Sequence, residues 1–199
     1  TMGLNSVAFA LAFALALPLG VWSARQAGRW PDRWLRRSLM ALYAMPVFWL
    51  GGLCIMLFFR DRNWHPAGAM VAGIAYAFGG AAAWRIQHVG QVMSFAQFGI
   101  TLWLLSRAMD RSSIRYGILA GLSGGLMIVK PDQVALFGVY ILTGFVLHHI
   151  FSQGNWKAAF RAGLRPLLAG TAAAALLAGG PLIMTVLFAE ASQRAEISY

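Results

Sequence analysis

The chain has 199 residues, of which 59% are hydrophobic and 11% charged. Soluble domains carry about 25% charged residues, so the composition argues against a soluble globular fold. The net charge of +10 falls in short clusters between apolar runs rather than in one patch, which points to lipid headgroups and topology and away from nucleic acid.

A membrane span needs roughly 20 apolar residues to cross about 30 Å of hydrocarbon. Seven runs approach that length: 6–22, 39–59, 67–84, 92–106, 116–129, 134–151 and 166–188. No basic segment precedes the first, as it would in a cleaved signal peptide. The fourth and fifth are short and are expected to tilt or to extend into their polar flanks. All are too long for strands and lack strict alternation. Helices also satisfy their own backbone hydrogen bonds in lipid. The expected fold class is therefore all-α: a polytopic transmembrane helix bundle of about seven spans, multi-pass in a bacterial inner (plasma) membrane, with the lipid bilayer as its partner.

Other features fit that frame. Small residues are dense at 79–83, 121–125 and 169–180, where helix backbones can approach closely. Pro18, Pro46 and Pro181 fall inside spans and are expected to kink them. Trp22, Trp30, Trp34, Trp64, Trp84 and Trp156 stand at span edges, as in an interfacial aromatic belt. The single cysteine, Cys54, permits no intrachain disulfide or thiolate metal site. His148 and His149 close the sixth run and read as interfacial. No phosphate loop, Gly-x-Ser-x-Gly or His-Glu-x-x-His occurs, so no cofactor and no metal are expected.

Loop charges give two answers. Arg25, Arg29, Arg33, Arg36 and Arg37 make the first loop cytoplasmic. The later loops place Arg60, Arg62, Arg107, Arg111, Arg115, Lys157, Arg161 and Arg165 on one face, against Arg85, Lys130 and Arg194 on the other. They require the connection after the second run to be cytoplasmic, whereas the first loop requires it outside. A re-entrant run, a failure of the charge rule or two origins for the chain would each account for this.

Residues 7–59 resemble the oligopeptide/dipeptide ABC transporter permease family. The resemblance is carried by Ala16-Leu17-Pro18-Leu19-Gly20-Val21, by the basic stretch Arg25 to Arg33 with Gly28, Trp30 and Asp32, and by Met45-Pro46-Val47-Phe48-Trp49-Leu50-Gly51. It implies a helix, a basic cytoplasmic loop, a second helix and an ATPase subunit as partner. Residues 60–199 resemble the bacterial YfhO-like membrane proteins, which are related to the GT-C glycosyltransferases. Here the carrying residues are Arg60-Asp61-Arg62-Asn63-Trp64-His65-Pro66-Ala67-Gly68, Tyr76-Ala77-Phe78-Gly79-Gly80, Arg85-Ile86-Gln87-His88-Val89-Gly90-Gln91 and Lys130-Pro131-Asp132-Gln133. Both resemblances and the charge pattern change near residue 60. The expected organisation is thus a two-helix permease-like segment, 1–59, joined to a five-helix YfhO/GT-C-like segment, 60–199, as a hybrid.

The 85–91 and 130–133 connections are expected on one extracytoplasmic face. Arg85, Gln87, Gln91, Lys130 and Gln133 could bind a phosphate and sugar hydroxyls, since an arginine fork donates two hydrogen bonds. Asp132 or His88 could act as general base toward an acceptor hydroxyl. Ordinary solvated loops would account for the same residues. The GT-C resemblance implies a lipid-linked donor, a polyprenyl-phosphate-linked sugar, and glycosyl transfer as the function. The permease resemblance implies peptide transport, and a non-catalytic membrane remnant is the third possibility.

Overall fold

The computed structural model describes residues 2–44, 46–80, 88–129 and 132–190, and every described element is helical. In chain order these are α1 (Met2–Arg25), α2 (Trp30–Ala44), α3 (Val47–Asp61), α4 (Pro66–Phe78), α5 (Val89–Asp110), α6 (Ile114–Ile128), α7 (Gln133–Phe151) and α8 (Trp156–Glu190). The helical fold class is as expected. Among the described residues, two helices, α7 and α8, are long and apolar enough by themselves to cross a bilayer.

Three boundaries differ from the expectation, the first being the 67–84 run, whose helix α4 stops at Phe78 with Gly79 in extended backbone. The 39–59 run is not one helix: α2 ends at Ala44 and α3 begins at Val47. Pro46 has no N–H to give to a helix, and it disfavours helical backbone in the residue before it. Residues 156–165 are the first turns of α8 rather than a loop. Asn155 starts that helix by accepting the Ala158 N–H at 3.1 Å, which satisfies one of its orphan amides. Pro18 and Pro181 both lie within continuous helix.

Packing divides the chain into two compact units, Thr1–Pro46 with Met184–Tyr199, and Val47–Ile183. In the first, α1 stops in a turn at 26–29, where Gly28 takes φ 76°. That left-handed backbone costs glycine nothing. The turn delivers α2, whose Asp32 is almost fully buried.

The second unit is an up-and-down bundle whose directions follow from residue pairs. Helices α3 and α5 run parallel, with Gly51 against Ala96 and Gly99 at one level and Asp61 paired with Arg107 at the other. A Cβ on Gly99 would lie 2.5 Å from the Gly51 carbonyl oxygen. Helix α4 returns antiparallel to α3, with Gly52 against Ala77 and Gly73 against Met56. Helix α6 is antiparallel to α5 through Thr101–Ser123 and Arg107–Tyr116. Helices α6 and α8 run parallel at a constant offset, meeting at Gly117–Pro166, Gly121–Gly170 and Gly125–Ala174. Without side chains in the way, such helices gain van der Waals contact along their whole seam. Ile55, Leu102, Met127, Ala135 and Leu142 form the centre of this unit.

The alternation collects the C-termini of α3, α5 and α7 at one end with the N-termini of α4, α6 and α8. That end holds Arg60, Arg62, Arg107, Arg111, Arg115, Lys157, Arg161 and Arg165, and is called the basic end below.

Candidate functional site

The opposite end of the second unit holds the residues singled out for chemistry. Arg85, Gln87 and Lys130 lie outside the described residues. His88 precedes α5, exposed, and makes no side-chain bond to the first amides of that helix. Gln91 is half-buried in the first turns of α5, and Gln133 is exposed at the start of α7. Asp132 caps α7: one carboxylate oxygen accepts the Ala135 N–H at 2.8 Å and the other accepts the Ser94 hydroxyl at 2.8 Å. Ser94, itself buried, thereby ties the second turn of α5 to the start of α7. Both oxygens of Asp132 are engaged, so the group expected to act as a base holds two helices together. His88, Gln91, Asp132 and Gln133 do share one end of the bundle.

From Ser94 a row of polar groups continues down the α5/α6 interface. Thr101 donates to Ser123 at 2.9 Å, and Ser123 donates to the Gln97 side-chain oxygen at 2.8 Å. These neutral groups satisfy each other where water is absent, the usual role of polar side chains between membrane helices. An apolar groove of about 440 Å³ opens beside them, lined by residues such as Gly124, Leu142, Thr143 and Thr171. Its lining carries no charged side chain.

The basic end holds two ion-pair networks that the sequence reading did not find. In one, the Arg107 guanidinium donates twice to Asp61, at 2.7 and 3.2 Å, and stacks 4.6 Å from the Trp103 ring centre. Trp103 adds an indole N–H to the same carboxylate at 3.1 Å. The Arg107 hydrogen bonds hold Asp61, beyond the apolar stretch of α3, below the usual carboxylate range. In the other, Arg62 lies between the Phe58 and Phe145 rings at 5.4 and 5.3 Å. It donates to the fully buried Ser106 at 2.9 Å and pairs with Asp110 at 3.4 Å. Asp110 also faces His149 Nδ1 at 3.7 Å, so His149, read as interfacial, belongs to this network. The scarcity of acidic residues was the available signal: the chain has only six, and each of its four aspartates is bonded to another helix, a turn or a cap.

In the first unit, Asp32 receives the Ser23 hydroxyl, the Gly28 N–H at 3.0 Å and Arg36 Nε at 2.9 Å. The Ser23 bond, followed by the Gly28 amide, lowers its pKa. Gly28 and Asp32, part of the permease-like stretch Arg25 to Arg33, thus build the elbow between α1 and α2, while Trp30 stands exposed at the start of α2.

Residues 16–130 match the family model for the binding-protein-dependent transport system inner membrane component, which is more than half of the chain. The chain belongs to that family. The match runs through residue 60, from within α1 to just past the end of α6. Over 66 residues the chain is 32% identical to the peptide transport system permease protein SapB of Salmonella typhimurium (strain LT2), covering 33% of this chain and 21% of that protein. The chain thus spans about a fifth of the length of this curated relative. No solved structure matches. Membership makes the chain an inner-membrane protein and supports the permease resemblance. Neither match is to a glycosyltransferase, so the YfhO/GT-C resemblance gains no support from them.

Proposed function

We propose that the chain is a transmembrane permease segment of a peptide-type ABC transport system, working with an ATPase subunit and a substrate-binding protein. The family match over residues 16–130 carries this reading, and the peptide-permease relative supports the substrate class. In this reading the apolar runs form the membrane-embedded bundle, the 39–59 run only from Val47 onward, and that bundle lines or flanks the substrate path. The test is purification of the tagged full chain from its native membranes. An ATP-hydrolysing subunit should co-purify in stoichiometric amount; a chain isolated without ATPase activity under several mild detergents argues against the permease reading.

A second reading is favoured by one observation. His88, Gln91, Asp132 and Gln133 share an end of the bundle, and the Ser94–Asp132 bond fixes the geometry there. With Arg85, Gln87 and Lys130 from the adjoining segments, this end would bind a lipid-linked sugar phosphate for glycosyl transfer. Transfer from a polyprenyl-phosphate-linked sugar that survives both Asp132→Asn and Arg85→Ala would refute the assignment.

The division into 1–59 and 60–199 is likewise a proposal of two origins. Its support is the charge conflict between the first loop and the basic end. Reading the source DNA across codons 50 to 70 separates its two forms: a break in contiguity makes the join an artefact of two separate pieces, and an unbroken reading frame makes the fusion real.

A further inference from the structure

We infer that α2 is an in-plane helix that docks on a membrane surface of anionic phospholipid. At about 100° per residue, Trp30, Pro31, Trp34, Leu35, Ser38 and Leu39 fall in one half of its circumference. Asp32, Arg33, Arg36 and Arg37 fall in the other. Ser38 and Met40 are the two residues of 30–40 that break the division. The apolar half is open: Trp30, Trp34 and Leu39 are 66%, 57% and 50% exposed. Trp30 and Trp34 lie side by side, 5.9 Å between ring centres, in the arrangement that lets indoles seat at headgroup depth.

Length and charge exclude a bilayer crossing by this helix. Its 15 residues rise about 22 Å at 1.5 Å each, short of about 30 Å of hydrocarbon, and its first two turns hold four charged residues. A strongly amphipathic helix with a basic polar face and tryptophan on the other lies in the interface.

Charge complementarity selects the occupant. Asp32 is the only carboxylate in residues 1–60, and Ser23, Gly28 and Arg36 consume it. Arg33 and Arg37 are exposed, Asp32, the acidic residue of their helix, being paired with Arg36, and each basic group near an anionic leaflet adds attraction to it. The Asp32 elbow ties α2 to Ser23 in the last turns of α1, so the docking angle is set before lipid arrives.

The test uses the full chain with Cys54→Ser and one nitroxide-labelled cysteine at a time, Arg33→Cys, Trp34→Cys, Arg37→Cys or Leu39→Cys. The protein is reconstituted in phosphatidylcholine vesicles with or without phosphatidylglycerol. Labels at 34 and 39 should be reached by oxygen, and labels at 33 and 37 by a water-soluble nickel complex. The contrast should fall several-fold without phosphatidylglycerol, and equally when Arg33 and Arg37 are both glutamine in the Leu39→Cys chain. Oxygen access at all four sites would make α2 a buried segment, and nickel access at all four would place it in water. A contrast indifferent to phosphatidylglycerol would overturn the headgroup preference. None of these outcomes depends on transport.

Discussion

Gly121 of α6 and Gly170 of α8 meet backbone to backbone: a Cβ on Gly121 would stand 2.0 Å from the Gly170 carbonyl oxygen. The obstacle is main chain, which has no rotamer to move aside. Gly121→Ala should therefore destabilise the bundle by about 1–3 kcal/mol, the usual range for overpacking. At Gly124 a Cβ meets only Thr101 Cγ2, at 3.5 Å, so Gly124→Ala should be close to neutral. Denaturant titration in detergent, with both variants side by side, checks the contrast.

The Asp61–Arg107 pair is three-quarters enclosed, and its two-pronged geometry exceeds that of a surface pair. Asp61→Asn should cost about 1–2 kcal/mol, and a double-mutant cycle with Arg107→Gln should show coupling. The pH dependence has a definite sign. Because the folded pKa of Asp61 is lowered, its contribution is full above the unfolded carboxylate value and is lost as pH falls through the folded one. Wild type should lose stability relative to Asp61→Asn on acidification below about pH 4, measured by thermal unfolding in detergent.

Asp132 separates a cap from a catalyst. Asp132→Ala removes the Ala135 and Ser94 bonds together and should cost about 1–2 kcal/mol. Asp132→Asn keeps an acceptor for the α7 amide and should retain most of the stability. If Asp132 is a general base, Asp132→Asn loses transfer at nearly unchanged stability. If it serves only as a cap, any activity follows stability across both variants.

Arg62 joins three helices through Ser106, Asp110 and the Phe58 and Phe145 rings. Arg62→Met preserves much of the volume yet leaves Ser106 and Asp110 without their cation. A loss of about 1–3 kcal/mol is expected, with Arg62→Lys only a partial rescue, because an ammonium cannot reproduce the planar stacking. Unfolding midpoints of the two variants test the order.

The sequence made α5, α6 and α7 legible to within a few residues, because apolar runs closed by charge mark a helix well. The break at Pro46 escaped it: hydropathy across 39–59 does not register a missing amide. The start of α8 escaped for the opposite reason, since Lys157, Arg161 and Arg165 look like a loop although Asn155 caps a helix before them. At the candidate site Asp132 was legible as a lone carboxylate near membrane depth, but Ser94, its partner on another helix, was not. Asp61 and Asp110 were passed over because their partners, Arg107 and Arg62, are adjacent only once α3 and α5 pack in parallel.

The α6/α8 seam has a consequence for modularity. The family match ends at residue 130, yet α6 presses its glycine flank onto Pro166, Gly170 and Ala174, beyond that limit. The portion shared with the permeases is therefore not a detachable cassette. A chain cut after residue 130 would bare a side of α6 with almost no side chains, and would have to find another small-faced helix to cover it.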